Sequence, residues 1–436
     1  MGPTTPGTRL GRICAGLIIL AAGMLATGVA TGRPLAWQPA AVAGALALPW
    51  ALASFPGWRG YRFTAWIVAA VVAAMIYPEQ ILHPGSIDLG QKWLVLTVVQ
   101  MVMFGMGVQM SFADFVGVVR MPRRVFIGVA CQFTIMPLVG WALASVLALP
   151  DEIAAGIVLI GSCSSGLASN VMAYLARANL ALSITMTAVA TMLAPLATPL
   201  WMTLLAGDRV PIRFATMTGD IVKLVLVPIG AALLHDYLKR ATPRGRVAVG
   251  IAALAATAWL VGVAWGTTSA SDDGGPMPQA LVLLNYSAGA LLFGSAFHGM
   301  ARLAPIVERR ATLLSMFGIV YFTAIATAKG RDELLAVGAL LMLAAVVHNG
   351  LGYALGYGMS RLFGLGPIDA RTVALEVGMQ NGGMAAGIAN EMGRLGTMGL
   401  AAAGFSPWVN VSGSIPAHYL RVRPTDVPDR LPVGSP

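Results

Sequence analysis

Long apolar stretches recur along the whole chain and constrain its fold more than any other feature of the sequence. A helix that spans a membrane needs about 17–25 predominantly apolar residues. Fourteen stretches near or above that length occur, at about 13–31, 37–55, 61–77, 93–110, 125–149, 153–175, 180–205, 216–238, 247–266, 280–300, 311–328, 333–358, 370–390 and 397–420. Because a bilayer offers no hydrogen-bond partner to an open backbone, such stretches must form helices. The sequence therefore predicts an all-α polytopic membrane protein with about 14 transmembrane helices.

The composition agrees with this fold class. The 436 residues are 57% hydrophobic and 11% charged, whereas soluble domains are about 25% charged. The net charge of +10 comes from basic residues scattered between the apolar stretches. That distribution is typical of orientation in a membrane and argues against a nucleic-acid partner. The three cysteines lie in apolar stretches and form no metal-ligand motif with histidine.

The distribution of charge between the stretches predicts the orientation of the chain. With the N-terminus in the cytoplasm, cytoplasmic segments hold 20 of the 28 basic residues, and external loops hold Asp151-Glu152 and Asp272-Asp273. The positive-inside rule then places both termini in the cytoplasm, and in a bacterium the protein would lie in the inner membrane. Arg9 and Arg12 are also compatible with a signal peptide over residues 1–31, which would leave the remaining topology unchanged. Lys223, inside a stretch, is expected to snorkel to the interface.

A shift of 217 residues superimposes the apolar stretches of the two halves. It moves 93–110 onto 310–327 and 180–205 onto 397–422. Seven spans per half is an odd number, so the second copy would enter the membrane from the opposite face. Inverted repeats of this kind are typical of secondary transporters. We expect an N-terminal extension over 1–60, a first repeat over 61–206 and a second repeat over 207–436 that includes an extra pair of helices at about 246–301.

Paired glycines interrupt one stretch in each half. Gly161 and Gly166 are matched by Gly378 and Gly383 under the same shift. Glycine lets a helix open, and open backbone is tolerated at membrane depth only where it lines a protected cavity. We therefore expect two broken helices, whose second halves begin near Leu167 and Gly383. Each N-terminus carries about half a positive charge, which favours an anion between them.

A carboxylate lies inside the broken stretch of the second half. Glu376 has apolar neighbours on both sides, and the amides Gln380 and Asn381 follow it. An ionisable group at membrane depth costs roughly 2.5–3.5 kcal/mol on insertion scales, so it usually binds an ion or a substrate. Glu376 and Gln380 are four residues apart, so on one helix they would project together. The alternative is a protonated Glu376 that hydrogen-bonds a neighbouring helix.

Hydroxylic residues occupy the matching region of the first half. Ser169 and Asn170 stand where a spanning helix would prefer large apolar residues, and Ser183 and Thr187 are spaced to share one helical face. Carboxylate, amide and hydroxyl oxygens are the ligands of hard cations, and one carboxylate among neutral oxygens suits a monovalent ion such as Na⁺. Ordinary hydrogen bonding between helices is the alternative for Ser183 and Thr187.

These residues resemble the bile acid:sodium symporter family over about 93–240 and 311–420. The matching motifs are Met103-Phe-Gly-Met-Gly107, Cys131-Gln-Phe133 with Met136-Pro137, Ala168-Ser-Asn-Val-Met-Ala-Tyr-Leu-Ala-Arg177, Ala181-Leu-Ser183, Val347-His-Asn-Gly350 and Leu375-Glu-Val-Gly-Met-Gln-Asn381. The resemblance implies ten helices in a core and a panel domain, built as two inverted five-helix repeats. The fourth and ninth helices of that fold are broken and cross each other.

The resemblance also implies two sodium sites and a substrate site. One sodium site would use Ser169, Asn170, Ser183, Thr187 and Glu376. The other would use Gln132, Glu376, Gln380 and the backbone carbonyls of Val377 and Met379. Positions near the substrate are Leu167, Ala168, Asn381 and Asn410.

Three features depart from the family pattern. Ser164-Ser165-Gly166-Leu167 stands where the family often has Pro-Gly-Gly-Thr, and Val409 stands where it has histidine. Both changes are expected near the substrate and not near the ions. The chain also has four spans more than the family's ten. These are either a symmetric insertion into the panel, at 37–77 and 247–300, or an N-terminal pair and an unrelated internal pair.

The function we expect is sodium-coupled symport of an organic anion by alternating access between core and panel. The anion would be a carboxylate or sulfonate, either bile-acid-like or a small organic acid. Related alternatives are an exporter or exchanger such as an arsenite permease, and a membrane sensor derived from a transporter. No hydrolytic triad or phosphate-binding loop supports an enzyme. The expected partners are the anion, Na⁺ and membrane lipid, and the protein is a monomer or a homodimer.

Overall fold

The structure is a computed structural model that describes residues 6–30, 34–269 and 277–422. The helices of the first half are α1 (Pro6–Ala30), α2 (Pro34–Ser54), α3 (Arg62–Ile76), α4 (Pro78–Leu82), α5 (Lys92–Gly107), α6 (Phe112–Arg120), α7 (Pro122–Val146), α8 (Asp151–Ser162), α9 (Leu167–Leu175) and α10 (Leu180–Ala206). Those of the second half are α11 (Phe214–Ile221), α12 (Val227–Arg240), α13 (Pro243–Ser269), α14 (Gln279–Leu303), α15 (Ile306–Lys329), α16 (Arg331–Leu362), α17 (Pro367–Gly378), α18 (Gly382–Glu391) and α19 (Met398–Val422). A 3₁₀ helix over Pro56–Tyr61 precedes α3, and a π-helical turn over Val222–Leu226 joins α11 to α12.

The predicted helical, multi-span fold class is confirmed. Each of the fourteen apolar stretches coincides with one helix or with two helices separated by a short break. Among the described residues, seven helices are long and apolar enough to cross a membrane, and an eighth span results if α5 and α6, bent by 61°, are counted together. Shorter apolar helices cover Ile13–Met24 and Arg62–Ile76. The total number of crossing helices stays a prediction.

Two of the stretches are broken near the expected places. The first forms α8 and α9, separated by residues 163–166, and the second forms α17 and α18, separated by 379–381. Asn381 ends the second break because its side chain accepts a hydrogen bond from Met384 N at 3.1 Å, which caps the first turn of α18. The breaks touch each other: Asn381 N donates to Ser164 O at 2.9 Å, and Ser165 and Gln380 form an isolated antiparallel bridge.

The helix boundaries follow the 217-residue shift closely. The shift moves α10 to 397–423, against the observed Met398–Val422 of α19. It also moves the first break to 380–383, next to the observed break at 379–381. The inversion of the second copy and the division of the chain into repeats stay predictions.

Eight helices pack side by side in the order α1, α2, α3, α15, α5, α12, α14 and α13. We call this set the outer row. In it, α3 packs against α15 as α12 packs against α5, while α1/α2 and α13/α14 form the two ends. This packing favours the alternative in which the extra helices are an N-terminal pair, α1/α2, and an internal pair, α13/α14. The 217-residue shift instead matches α3 with α14, which favours a symmetric insertion.

Eight further helices, α7 to α10 and α16 to α19, pack around the point where the two breaks touch, which we call the crossing. We call these helices the central block. Glycines allow close approach there. A Cβ on Gly378 would lie 2.2 Å from the Tyr353 ring, and one on Gly161 would lie 2.5 Å from Met136 O. Real Cβ atoms do not approach other atoms so closely. Only glycine at these two positions therefore permits the observed close packing of neighbouring helices, and both glycines also lie next to the breaks.

The expectation that Lys223 snorkels is wrong. Lys223 lies in the π-helical turn and is 8% exposed. Its ammonium is 2.5 Å from the Glu391 carboxylate at the end of α18 and 3.2 Å from Asp220. Gln100 Nε2 donates to Lys223 O at 3.1 Å. A buried carboxylate therefore holds the ammonium inside the protein.

Candidate cation and substrate site

Glu376 lies near the end of α17 and is buried, with 1% of its surface exposed. Its Oε1 accepts a hydrogen bond from Ser183 Oγ at 2.5 Å. Its Oε2 accepts from Ser165 Oγ at 2.5 Å and from Thr187 Oγ1 at 2.8 Å. Asn170 Oδ1 lies 2.7 Å from Ser183 Oγ and 3.3 Å from Thr187 Oγ1. We call these five residues the carboxylate cluster.

The carboxylate cluster has more contacts between oxygen atoms than it has protons. Six pairs of its side-chain oxygens lie within 3.3 Å. Its three hydroxyl groups supply one proton each, so with the amide oxygen of Asn170 turned to the cluster only three of these contacts can be hydrogen bonds when the carboxylate is ionised. Lone pairs that face each other in a buried site are unfavourable. A cation relieves the conflict because every oxygen can direct a lone pair at it, so this donor set fits Na⁺.

Different elements supply the members of the cluster. Ser165 comes from the first break, Asn170 from α9, Ser183 and Thr187 from α10, and Glu376 from α17. Asn179 begins α10 by accepting a hydrogen bond from Leu182 N at 3.1 Å, which caps the first turn of that helix. The four-residue spacing then directs both hydroxyls of α10 at the carboxylate.

Sequence reasoning did not select Ser165 as a cation ligand. It belongs to the departure at 164–167, which is expected near the substrate and not near the ions, yet it lies among the residues expected at the first sodium site. Its hydroxyl contacts both Glu376 and Thr187. The signal was available in the hydroxylic run Ser162–Ser165. The sequence does not show which serine of this run faces Glu376, because that depends on the backbone conformation of residues 163–166 in the break.

Ser169 is fully buried and lies close to the cluster. Its Oγ donates to Gly166 O at 2.6 Å, which uses its one proton within the first turn of α9. Its oxygen lone pairs remain available to a cation.

A second polar group, centred on Gln132, lies at the crossing of the breaks. Gln132 Nε2 donates to Gln380 Oε1 at 3.0 Å and to Cys163 O at 3.2 Å. Gln380 Nε2 donates to Val377 O at 2.7 Å. Met379, between them, is buried. The structure therefore places the residues expected at the second sodium site close together.

The expectation that Glu376 and Gln380 project together from one helix is wrong. Helix α17 ends at Gly378, so Gln380 lies in the break and its side chain turns toward Gln132. The two residues thus belong to adjacent polar groups. Glu376 contacts the hydroxyls of the carboxylate cluster, while Gln380 contacts another amide.

Two buried amide oxygens have no hydrogen-bond partner within the described part of the chain. They are Gln132 Oε1 and Asn349 Oδ1. Asn349 Nδ2 donates to Gly378 O at 2.5 Å, just before the second break, as Gln132 Nε2 donates to Cys163 O at the first. An unpaired buried acceptor costs about 1–3 kcal/mol. The free oxygen of Gln132 is therefore suited to a cation, as its predicted role requires.

The residues expected near the substrate are only partly brought together. Helix α9 begins at Leu167, and its N-cap residue Gly166 provides no side-chain hydrogen bond to the first turn. Ala168 is half-buried against the apolar core. The Asn381 side chain lies at the crossing, with its Nδ2 3.7 Å from the sulfur of Met106. The Asn410 amide donates to Ser406 O in its own helix at 2.8 Å.

The fold and this arrangement of polar groups define a multi-pass membrane transporter. Residues 96–270 match the sodium bile acid symporter family. An uncharacterised sodium-dependent transporter of Bacillus subtilis is 31% identical over 361 residues, which cover 83% of this chain and 91% of that protein. The ileal sodium/bile acid cotransporter of Oryctolagus cuniculus is 28% identical over 297 residues, 66% of this chain and 66% of that protein.

The chain belongs to the sodium bile acid symporter family. This family consists of sodium-coupled transporters and not of enzymes, and its coupling ion is Na⁺. The resemblance noted from the motifs is therefore confirmed, and so is the class of integral multi-pass membrane proteins. The individual ligand assignments stay predictions.

Proposed function

We propose that this protein is a sodium-coupled symporter of an organic anion that works by alternating access between the central block and the outer row. One observation carries the proposal: a buried carboxylate, Glu376, is surrounded by neutral oxygens at the crossing of two broken helices. Ion and substrate sites of secondary transporters lie at such breaks because opened backbone and helix ends supply ligands there.

The carboxylate cluster is the proposed first sodium site, with Ser169 as a further ligand. The group of Gln132, Gln380, Val377 and Met379 is the proposed second site, which Glu376 completes. The unpartnered Oε1 of Gln132 supports this assignment. Glu376 belongs to the first group and directly precedes Val377 of the second, so its carboxylate is the proposed ligand shared by the two ions.

An anionic substrate is supported by the starts of α9 and α18. Both helices begin at the crossing, and the first turn of α9 has no side-chain cap. Free backbone N–H groups at a helix N-terminus attract a carboxylate or sulfonate. Leu167, Ala168, Asn381 and Asn410 are the proposed contacts. The name of the rabbit relative, a sodium/bile acid cotransporter, supports the same chemical class.

The direction of transport follows from the sodium gradient. In a cell that keeps Na⁺ outside, symport imports the anion, with both termini of the chain in the cytoplasm. A bacterial protein of this kind would lie in the inner membrane.

The test uses purified protein in liposomes with an inward Na⁺ gradient, and K⁺ in place of Na⁺ as the control. Radiolabelled cholate, taurocholate, benzoate and lactate are the probes, chosen after a thermal-shift screen of carboxylates with and without Na⁺. Ligand binding raises stability by RT ln(1 + [L]/Kd), so the hits should require Na⁺. We expect Na⁺-dependent accumulation of at least one anion. Uptake that is equal in Na⁺ and K⁺, or efflux driven without Na⁺, would contradict symport.

A further inference from the structure

A line of polar side chains runs from the carboxylate cluster toward the N-terminal ends of α10 and α17, where these two helices pack together. We call it the polar seam. Its members are Asp369, Thr372 and Glu376 on α17, and Asn179, Ser183 and Thr187 at and within α10. Spacings of three and four residues place each set on one face of its helix. The two faces are turned toward each other.

Hydrogen bonds connect the members across the seam. Asn179 Nδ2 donates to Asp369 Oδ1 at 2.8 Å, and Asn179 N donates to Thr372 Oγ1 at 2.9 Å. One helical turn further along, Ser183 Oγ donates to Glu376 at 2.5 Å. Seven residues of α-helix, at 1.5 Å each, separate Asp369 from Glu376, so the seam is about 10 Å long. It supplies an oxygen ligand at every turn.

The seam ends at a surface cavity beside an arginine. Arg124 Nε lies 3.2 Å from Asp369 Oδ2, and the arginine side chain is 48% exposed while that of Asp369 is 12% exposed. Both residues line a cavity of about 370 Å³, together with Arg120 and Arg123. The predicted topology places this cavity on the cytoplasmic side.

The Asp369 carboxylate at the end of the seam is buried enough to require hydrogen-bond or charge partners. A buried carboxylate needs a positive partner or hydrogen bonds to all its oxygens. Asn179 satisfies one oxygen of Asp369, and Arg124 satisfies the other. The Arg124 side chain is long and already half-exposed. It can therefore move away from the Asp369 carboxylate with little loss of free energy when another cation takes its place.

We propose that the polar seam is the route by which Na⁺ passes between the carboxylate cluster and the cytoplasm, with Asp369 as its outermost cation site. Arg124 occupies Asp369 when no Na⁺ is there, and it turns to water when Na⁺ passes. The total charge at Asp369 is thus the same before and after the exchange. The inference rests on the proposed sodium site at Glu376, and it adds a route and a second carboxylate to it.

The test separates the rate of sodium release from sodium affinity. ²²Na⁺ binding to the purified full-length protein is measured at equilibrium by scintillation proximity, and release is followed after dilution into unlabelled Na⁺. The variants are Asp369→Asn, which removes the charge but keeps an oxygen to accept from Asn179, and Arg124→Gln. Arg123→Gln is the matched control, because Arg123 lines the same cavity but donates to Phe363 O, at 2.9 Å.

We expect Asp369→Asn to slow release at least fivefold while the equilibrium dissociation constant changes less than twofold. Arg124→Gln should accelerate release, since it leaves the carboxylate free for Na⁺, and Arg123→Gln should release at the wild-type rate. Unchanged release from Asp369→Asn would overturn the route. So would a loss of affinity as large as the loss of rate, because it would indicate a purely structural role. Failure of the sodium site itself is distinguishable, since the wild-type protein would then bind no ²²Na⁺ at equilibrium.

Discussion

The ammonium of Lys223 and the carboxylate of Glu391 form an ion pair, 2.5 Å long, that joins the π-helical turn between α11 and α12 to the end of the second broken helix. Their side chains are 10% and 5% exposed. Any movement of α18 relative to α11 and α12 therefore has to break this ion pair or move Lys223 together with Glu391. The Tyr286 ring of the extra helix α14 lies 5.8 Å from the ammonium and adds a cation–π contact.

Breaking one side of this pair should destabilise the protein strongly. Removing one partner of a buried ion pair leaves an uncompensated charge and costs about 3–5 kcal/mol. We expect Lys223→Met to lower the melting temperature in detergent, and Lys223→Met/Glu391→Met to recover most of the loss. The control is Lys92→Met, because Lys92 is 3.8 Å from the same carboxylate but 58% exposed. Because the Lys92 ammonium stays solvated, its loss should cost less than that of Lys223, about 0–1 kcal/mol. Equal melting shifts for Lys223→Met and Lys92→Met would contradict this account.

Ser165 should contribute to sodium affinity although sequence reasoning omitted it. A hydrogen bond to a charged group is worth about 1.5–3 kcal/mol, and about 1.4 kcal/mol corresponds to a tenfold change in a binding constant. We expect Ser165→Ala to weaken Na⁺ binding about tenfold or more, as measured by the Na⁺ dependence of the melting temperature. Ser162→Ala is the control, since Ser162 Oγ donates to Val158 O within α8. A wild-type Na⁺ titration of Ser165→Ala would show that its hydroxyl is not a ligand.

The contact between Gly378 and Tyr353 predicts a steric effect. A Cβ at position 378 would overlap the Tyr353 ring, and overpacking of this kind costs typically about 1–3 kcal/mol. Gly378→Ala should therefore lower the melting temperature, and Tyr353→Leu should relieve the effect in the double variant. Gly350, on the same helix as Tyr353, has open space around it. Gly350→Ala should be neutral or stabilising, because alanine favours a helix over glycine by up to about 1 kcal/mol. Destabilisation by both variants alike would argue against the close contact.

The helical fold could be predicted because apolar length alone identifies spans. The broken helices could be predicted because paired glycines interrupt one apolar stretch in each half. The partners of Glu376 could be predicted in part: helical spacing puts Ser183 and Thr187 on one face, and the family resemblance groups them with Glu376. Gln380 could not, because the helix ends between it and Glu376.

Contacts between distant segments were not readable from the sequence. The burial of Lys223 depends on Glu391, which is 168 residues away. The seam residues Arg124, Asn179 and Asp369 likewise come from three separate segments, and none stands out from its own neighbours in the sequence. Periodicity places a side chain on a face of a helix, but the packing of helices decides what that face meets.

Two sodium ions per monovalent anion should make transport electrogenic. A tenfold gradient supplies about 1.4 kcal/mol per ion, and the membrane potential about 2.3 kcal/mol per charge per 100 mV. We expect an inward current on a solid-supported membrane when the transported anion is added in a Na⁺ gradient. Gln132→Ala, which removes the unpartnered oxygen at the second site, should reduce the current and the Hill coefficient for Na⁺ together. Electroneutral uptake with a Hill coefficient near one in the wild-type protein would exclude the two-ion mechanism.

The most direct test of the whole account is the sodium dependence of thermal stability in Glu376→Gln. The substitution keeps the size of the side chain and removes its charge, so the helices around the crossing should still pack. At a Na⁺ concentration of 100 times Kd, the wild-type protein should gain about 2.7 kcal/mol of stability relative to K⁺. We predict that Glu376→Gln melts cooperatively but at the same temperature in Na⁺ and K⁺. A wild-type shift with Na⁺ in the folded Glu376→Gln protein would contradict the claim that this carboxylate holds the coupling ions.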